Sequence, residues 1–86
     1  MPKVIIPSPL REHVDNRREV VVDGNSLKET MERFWGRYPA LMMDHDLALL
    51  SVFVNSRLIR TGIDTWDSLL LNHDDEITLI IPIAGG

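Results

Sequence analysis

The sequence contains no cysteine in its 86 residues. This absence excludes a disulfide framework, a zinc site built on thiolates and a cysteine nucleophile. Any sulfur chemistry that involves this chain must therefore use sulfur supplied from outside. The chain also lacks an apolar run of the roughly 20 residues that a membrane-spanning helix needs, and its N-terminus lacks the basic and then apolar order of a signal peptide. We therefore expect a cytoplasmic protein without membrane contact.

Positive charge is also scarce. The sequence has nine Lys and Arg residues and 13 Asp and Glu residues, which gives a formal net charge of −4. The basic residues are scattered, whereas nucleic-acid binding depends on clusters of Lys and Arg. This charge argues against a nucleic-acid binder and favours a basic protein partner. The length predicts one domain, residues 1–86, near the lower limit for a core without disulfides or metal.

Two short β-branched runs near the N-terminus predict strands. The first, residues 3–6, stops at Pro7 and Pro9, which lack the N–H donors that a central strand needs. The second, residues 18–22, is followed by Asp23-Gly24-Asn25, a sequence typical of turns. The polar stretch between them, residues 11–17, is interpreted as the connection of a hairpin.

A long amphipathic helix is predicted to begin at Ser26. Ser26 and Glu29 have the spacing of a capping box, in which each side chain accepts a hydrogen bond from a free backbone donor. Pro39 ends the helix. The apolar side chains of this segment share one face at helical spacing: Leu27, Met31, Phe34, Trp35 and Tyr38.

Three more apolar runs predict strands at residues 49–54, 57–60 and 76–82, of which the last is the longest. Residues 64–67 predict a helical turn, and residues 40–46 a connection. One helix can bury its apolar stripe on one face of one sheet. The order therefore predicts an α+β fold with a mixed four- to five-stranded sheet and one long helix packed across it.

Side chains along residues 76–82 alternate between the two faces of the sheet. One set is Ile77, Leu79 and Ile81, and the other is Thr78, Ile80 and Pro82. Whichever set faces the helix, the other face of the sheet still carries isoleucine. The same alternation along residues 49–54 adds Phe53 to that face. An exposed apolar face on a small acidic protein predicts a docking surface.

The sequence ends on Gly85-Gly86, directly after the last predicted strand. At average glycine usage a pair at this place would arise by chance in roughly one chain in two hundred. Together with the strand order, the pair resembles the ending of β-grasp, ubiquitin-like sulfur carriers of the MoaD/ThiS type. The resemblance also includes three internal segments: residues 10–12, residues 54–55 and the acidic turn at residues 74–76. It covers nearly the whole chain and is closest to the small subunit of molybdopterin synthase and to related cysteine-synthesis carriers.

The resemblance implies that the carboxyl group of Gly86 is the reacting group and that Gly85 gives it access to narrow active sites. An E1-like adenylyltransferase and sulfurtransferase would use ATP to adenylylate Gly86 and then convert it to a thiocarboxylate. No cofactor is expected to stay bound, because AMP and sulfur are carried covalently. The expected partner-binding residues are Leu58, Ile80, Pro82, Ile83 and Ala84, and the alternation of side chains along the strand adds Phe53.

The implied sulfur acceptor is molybdopterin, through the large subunit of molybdopterin synthase. Alternatives are a cysteine synthase, thiamine synthesis or tRNA thiolation. A ubiquitin-like protein modifier would share the adenylylation step, and an interaction module with an inert tail is a third possibility. The chain would be a co-substrate and a monomer when free, without an active site of its own, although in molybdopterin synthase it would form part of the enzyme.

Ionisable side chains give no pattern of their own for catalysis or metal binding. His13, His45 and His73 are far apart in sequence and lack the spacing of a ligand set. Asp74, Asp75 and Glu76 are adjacent, and alternation at the start of a strand would send neighbouring carboxylates to opposite faces. We therefore interpret the three histidines as surface residues and the acidic run as a solvated turn.

Overall fold

The computed structural model describes residues 1–43, 50–59 and 63–81. The strands and α-helices follow the order β1 (Lys3–Ile5), β2 (Glu19–Val21), α1 (Leu27–Arg37), β3 (Ser51–Val54), β4 (Arg57–Ile59), α2 (Ile63–Ser68) and β5 (Glu76–Ile80). Two 3₁₀ helices cover Ser8–Val14 and Pro39–Met43. The described strands form one five-stranded sheet in the order β2-β1-β5-β3-β4. The predicted α+β class and mixed sheet are confirmed, and α1 has 11 residues.

The last strand in the sequence lies at the centre of the sheet. β5 pairs in parallel with β1, where Ile77 lies opposite Val4. On its other side β5 pairs antiparallel with β3, where Leu79 lies opposite Val52. The antiparallel pairs β1–β2 and β3–β4 are thereby joined into one sheet.

The start of α1 is held by the predicted capping box. The backbone N–H of Glu29 donates to Ser26 Oγ at 3.1 Å, and the backbone N–H of Asn25 donates to Glu29 Oε1 at 3.0 Å. An N-cap of this kind stabilises a helix by about 1 kcal/mol. The helix ends at Arg37, shortly before Pro39, as predicted. No helix in the described ranges is long and apolar enough to cross a membrane.

The core lies between α1 and one face of the sheet. From α1 it takes Leu27, Met31 and Phe34, while Trp35 and Tyr38 are only half-buried at its margin. The predicted alternation along β5 is confirmed where the structure describes it. Ile77, Leu79 and Ile81 are buried, Thr78 is half-buried and Ile80 is exposed.

Residues 11–17 connect the antiparallel strands β1 and β2, as predicted, but the connection has structure of its own. The chain forms the 3₁₀ helix Ser8–Val14, and its Leu10 and Val14 are completely buried. Asp15 and Asn16 then reverse the chain with left-handed backbone angles (φ of 58° and 59°), which aspartate and asparagine tolerate better than most residues. The connection is therefore part of the core.

Close backbone packing explains Gly24, which follows β2. A Cβ atom at Gly24 would lie 2.9 Å from both the backbone N and the Cα of Thr30, and closer still to Thr30 Oγ1. The backbone of α1 would have to move to accept it. A Cβ atom at Gly36, near the end of α1, would meet nothing within 4 Å. The two glycines thus differ in whether a methyl group fits.

We expect Gly24→Ala to destabilise the protein by about 1–3 kcal/mol, because overpacking a buried site forces the backbone to shift. Gly36→Ala is the matched control and should stabilise by about 0.5–1 kcal/mol, since alanine favours a helix interior more than glycine does. Urea unfolding of both variants measures the difference. Equal effects of the two substitutions would contradict the packing argument.

Candidate functional site

The face of the sheet that points away from α1 carries the residues expected to bind partners. The strand register places Phe53 directly between Leu58 on β4 and Thr78 on β5. Ile80 lies two residues beyond Thr78 on β5, diagonal to Phe53, a distance that large side chains can bridge. Leu58, Phe53 and Ile80 therefore form one cluster, called here the apolar patch.

The apolar patch is open to solvent. Leu58 is 58% exposed and Ile80 is 42% exposed, while Phe53 is half-buried beside them. Exposed leucine and isoleucine next to a phenylalanine form a surface that a partner protein can cover with a gain in free energy. The structure thus brings together three of the residues that the sequence selected for partner binding.

The tail residues selected from the sequence are Pro82, Ile83, Ala84, Gly85 and Gly86, and all lie outside the described residues. The structure does describe the segment from which the tail extends, β5 and Ile81, called here the root of the tail. Ile81 is 7% exposed and packs in the core, and β5 before it is paired on both sides. The tail therefore follows a firmly held strand.

The start of β5 is held by Asn55, from the turn between β3 and β4. Asn55 Nδ2 donates to Asp75 Oδ1 at 2.8 Å, and its Oδ1 accepts from the backbone N–H of Glu76 at 3.0 Å. Its own backbone N–H donates to the carbonyl of Glu76 at 2.9 Å. With φ of 49°, Asn55 has the left-handed conformation that asparagine tolerates in tight turns. One side chain thus sets the register of β3 against β5.

The acidic turn before β5 is structural. Asp75 Oδ2 accepts from the backbone N–H of Asn72 at 2.8 Å, and the Asp75 carbonyl accepts from the N–H of Lys3 at 3.0 Å. Asp75 therefore links the turn to both β1 and the β3–β4 hairpin. Sequence reasoning missed this role of Asn55 and Asp75, although an asparagine at a two-residue turn between two strands was a signal of the turn itself.

The expected surface histidines are placed as follows. His73 Nε2 lies 3.0 Å from Asp74 Oδ1 on the surface, and His13 Nε2 lies 3.7 Å from Glu12 Oε1. His45 is outside the described residues. Over residues 1–43, 50–59 and 63–81, no group of three His, Asp or Glu side chains is placed to hold a metal ion.

Comparison with known proteins places this geometry in a family. The model of the ThiS family matches residues 4–86. A comparison with curated protein sequences found no match.

Solved structures with the same fold include a chain of the Amycolatopsis orientalis BexX/CysO complex, with 22% identity, all of both chains covered and a TM-score of 0.79. CysO of Mycobacterium tuberculosis has 19% identity over 96% of this chain and 100% of its own, with a TM-score of 0.74. Small archaeal modifier protein 1 of Methanosarcina acetivorans has 23% identity over 99% of this chain and 95% of its own, with a TM-score of 0.72. These likenesses confirm the predicted β-grasp, ubiquitin-like fold.

We expect Asn55→Asp to destabilise the protein by about 1–2 kcal/mol, because it replaces the donor to Asp75 with a second carboxylate. Asn72→Asp adds the same charge to the same region at a side chain without a described hydrogen bond, and should cost less. Thermal unfolding compares the two variants. Equal midpoints would show that charge, and not the Asn55 hydrogen bonds, accounts for the loss.

Proposed function

Because the chain belongs to the ThiS family of ubiquitin-like sulfur carriers, we propose that its Gly86 carboxyl group carries sulfur as a thiocarboxylate. The observation that carries the proposal is the Gly85-Gly86 pair, which the family match includes. Glycine has no Cβ atom and adopts backbone angles closed to other residues, so this pair suits passage into a narrow active site.

The carboxylate of Gly86 is a poor electrophile, and the proposed chemistry activates it. A carboxylate oxygen of Gly86 attacks the α-phosphorus of ATP on a separate activating enzyme, which releases pyrophosphate and leaves an acyl adenylate. The terminal sulfur of a persulfide then attacks the acyl carbon and displaces AMP. A second thiol cleaves the resulting acyl disulfide and leaves the thiocarboxylate. Because the chain has no cysteine, both the persulfide and the thiol that cleaves the acyl disulfide belong to partners.

The fold supports this role because β5 carries Ile80, a residue of the apolar patch, and leads into the tail that ends at Gly86. Ile80 of the apolar patch lies six residues before Gly86. At roughly 3.3–3.6 Å per extended residue, the reacting carbon can reach at most about 22 Å from Ile80. A partner that covers the apolar patch would therefore have its active site within that distance.

The partners that we propose are an E1-like activating enzyme and a sulfur-acceptor enzyme. A net charge of −4 favours basic surfaces around their docking sites. A related fold occurs in a crystallised complex, that of BexX and CysO, which supports the idea that such a domain is used while bound to another protein.

For the acceptor we propose molybdopterin, on the resemblance of the sequence to the small subunit of molybdopterin synthase. A cysteine-synthesis carrier and a protein modifier have equal support. CysO occurs in two of the similar structures, and a third is named as a modifier protein. Offering the thiocarboxylate form to each class of acceptor would separate these routes, since only the cognate acceptor should remove the sulfur. Conjugates of higher mass that depend on Gly86 would instead identify a modifier.

The proposal predicts that a cognate activating enzyme, ATP and a sulfur donor raise the intact mass of the chain by the difference between sulfur and oxygen. Intact-mass spectrometry measures this change. Deletion of Gly86 should abolish it without altering the described core, because Gly86 lies five residues beyond Ile81, the last described core residue. An unchanged mass with an enzyme shown to be active on another carrier of the family would refute the proposal.

The apolar patch predicts a second result. Leu58→Asp should weaken binding to the activating or acceptor enzyme by about tenfold or more, since burying a carboxylate in an apolar contact is costly. Leu70→Asp is the matched control, because Leu70 is 77% exposed and lies outside the apolar patch. Isothermal titration calorimetry compares the variants. If both bind equally well, the apolar patch is not the docking surface.

A further inference from the structure

A cavity lies between α1 and α2, on the helical side of the sheet and away from the apolar patch. It has a volume of about 190 Å³, and its lining residues are Lys28, Met31, Glu32 and Trp35 of α1 and Trp66 of α2. Both tryptophans of the chain therefore meet at one place. Neither the proposed chemistry of the tail nor the apolar patch uses them.

The two sides of this cavity are held together by backbone hydrogen bonds. The N–H of Leu27 donates to the carbonyl of Leu69 at 2.9 Å, and the N–H of Leu71 donates to the carbonyl of Asn25 at 2.9 Å. These bonds tie the segment that follows α2 to the start of α1. On α1 itself, the lining residues have the i, i+3, i+4 and i+7 spacing of a single helical stripe. The cavity is thus formed by the fold before any ligand arrives, as small binding sites usually are.

The interior of the cavity is apolar and largely aromatic. Met31, which is 1% exposed, lies at its bottom, and the half-buried Trp35 and Trp66 line its sides. The ring of Trp35 packs against Phe34, with 5.2 Å between the ring centroids. An apolar cavity of about 150 Å³ holds one benzene ring. The volume therefore suits one aromatic ring, and contacts between rings add to the gain from burial.

The rim of the cavity carries one hydrogen-bond donor and one acceptor. Lys28 Nζ lies 3.9 Å from Glu32 Oε1, which is too far for a direct hydrogen bond. A carboxylate at this rim would be repelled by Glu32, and an ammonium group would be repelled by Lys28. A phenol hydroxyl is uncharged at neutral pH and can both accept and donate. It can therefore bridge the two side chains without repulsion from either.

We propose that the cavity between α1 and α2 binds a tyrosine side chain of a partner protein. The ring lies over Met31 between Trp35 and Trp66, and the hydroxyl accepts from Lys28 Nζ and donates to Glu32 Oε1. A free phenol is too small to bind tightly at a site that is open on one side, whereas a tyrosine on a protein adds its contacts to those of a larger interface. The proposal goes beyond the sulfur-carrying role and does not depend on Gly86.

The test uses the full chain labelled with ¹⁵N and the capped amides of tyrosine, phenylalanine and leucine. The indole N–H signals of Trp35 and Trp66 both report on the cavity. We expect saturable shifts of both signals, with the tyrosine amide about fivefold tighter than the phenylalanine amide because of its hydroxyl. The leucine amide should bind most weakly, since it lacks ring contacts. Equal affinities of the tyrosine and leucine amides, or shifts centred on the apolar patch, would overturn the proposal.

A capped Gly-Tyr-Gly peptide separates a tyrosine of a protein from a small phenol. A tyrosine within a protein has backbone on both sides, so this peptide should bind at least as tightly as the single amide. Phenol that shifts the indole signals while the peptide leaves them unchanged would contradict a protein as the occupant. This comparison needs no change to the chain.

Removal of the rim donor tests the role of the hydroxyl. Lys28→Met should reduce the preference for tyrosine over phenylalanine from about fivefold to less than about twofold, and should leave the phenylalanine affinity unchanged. Lys3→Met is the matched control, because the side chains of Lys3 and Lys28 are 37% and 40% exposed and Lys3 lies on β1, away from the cavity. It should leave the preference intact. A preference that survives Lys28→Met, or that is lost equally in both variants, would refute the bridging hydroxyl.

Discussion

β5 is hydrogen-bonded to a neighbour on each side, and the sheet is one piece because of this double pairing. If β5 were removed, β1–β2 and β3–β4 would be separate two-stranded hairpins, which are marginal in water on their own. Ile77 and Leu79 add the packing that holds β5 under α1. The strand that completes the core is also the strand that leads into the tail. Loosening the root of the tail therefore requires opening the centre of the protein.

A sheet covered by one helix has one buried face and one open face. The alternation that buries Ile77 and Leu79 necessarily turns Ile80 outward, and the β3–β4 hairpin turns Leu58 outward beside Phe53. The apolar patch is thus a consequence of the architecture. It stays in place because Asn55 holds β3 in register with β5, and a slip of one residue would exchange the two faces. Stability and the proposed recognition depend on the same register.

Structural features that depend on neighbouring residues were predicted from the sequence, whereas features that depend on long-range contacts were missed. The cap at Ser26 and the alternation along β5 depend on residues a few positions apart, and both were predicted. Val14 lies in the stretch that was predicted to be a polar connection. Its burial, like that of Leu10 before it, was missed because it depends on a core assembled from distant elements. The hydrogen bond between Asn55 and Asp75 spans 20 positions, so no local pattern could show it. The role proposed for Gly86 comes from resemblance to a family and not from geometry.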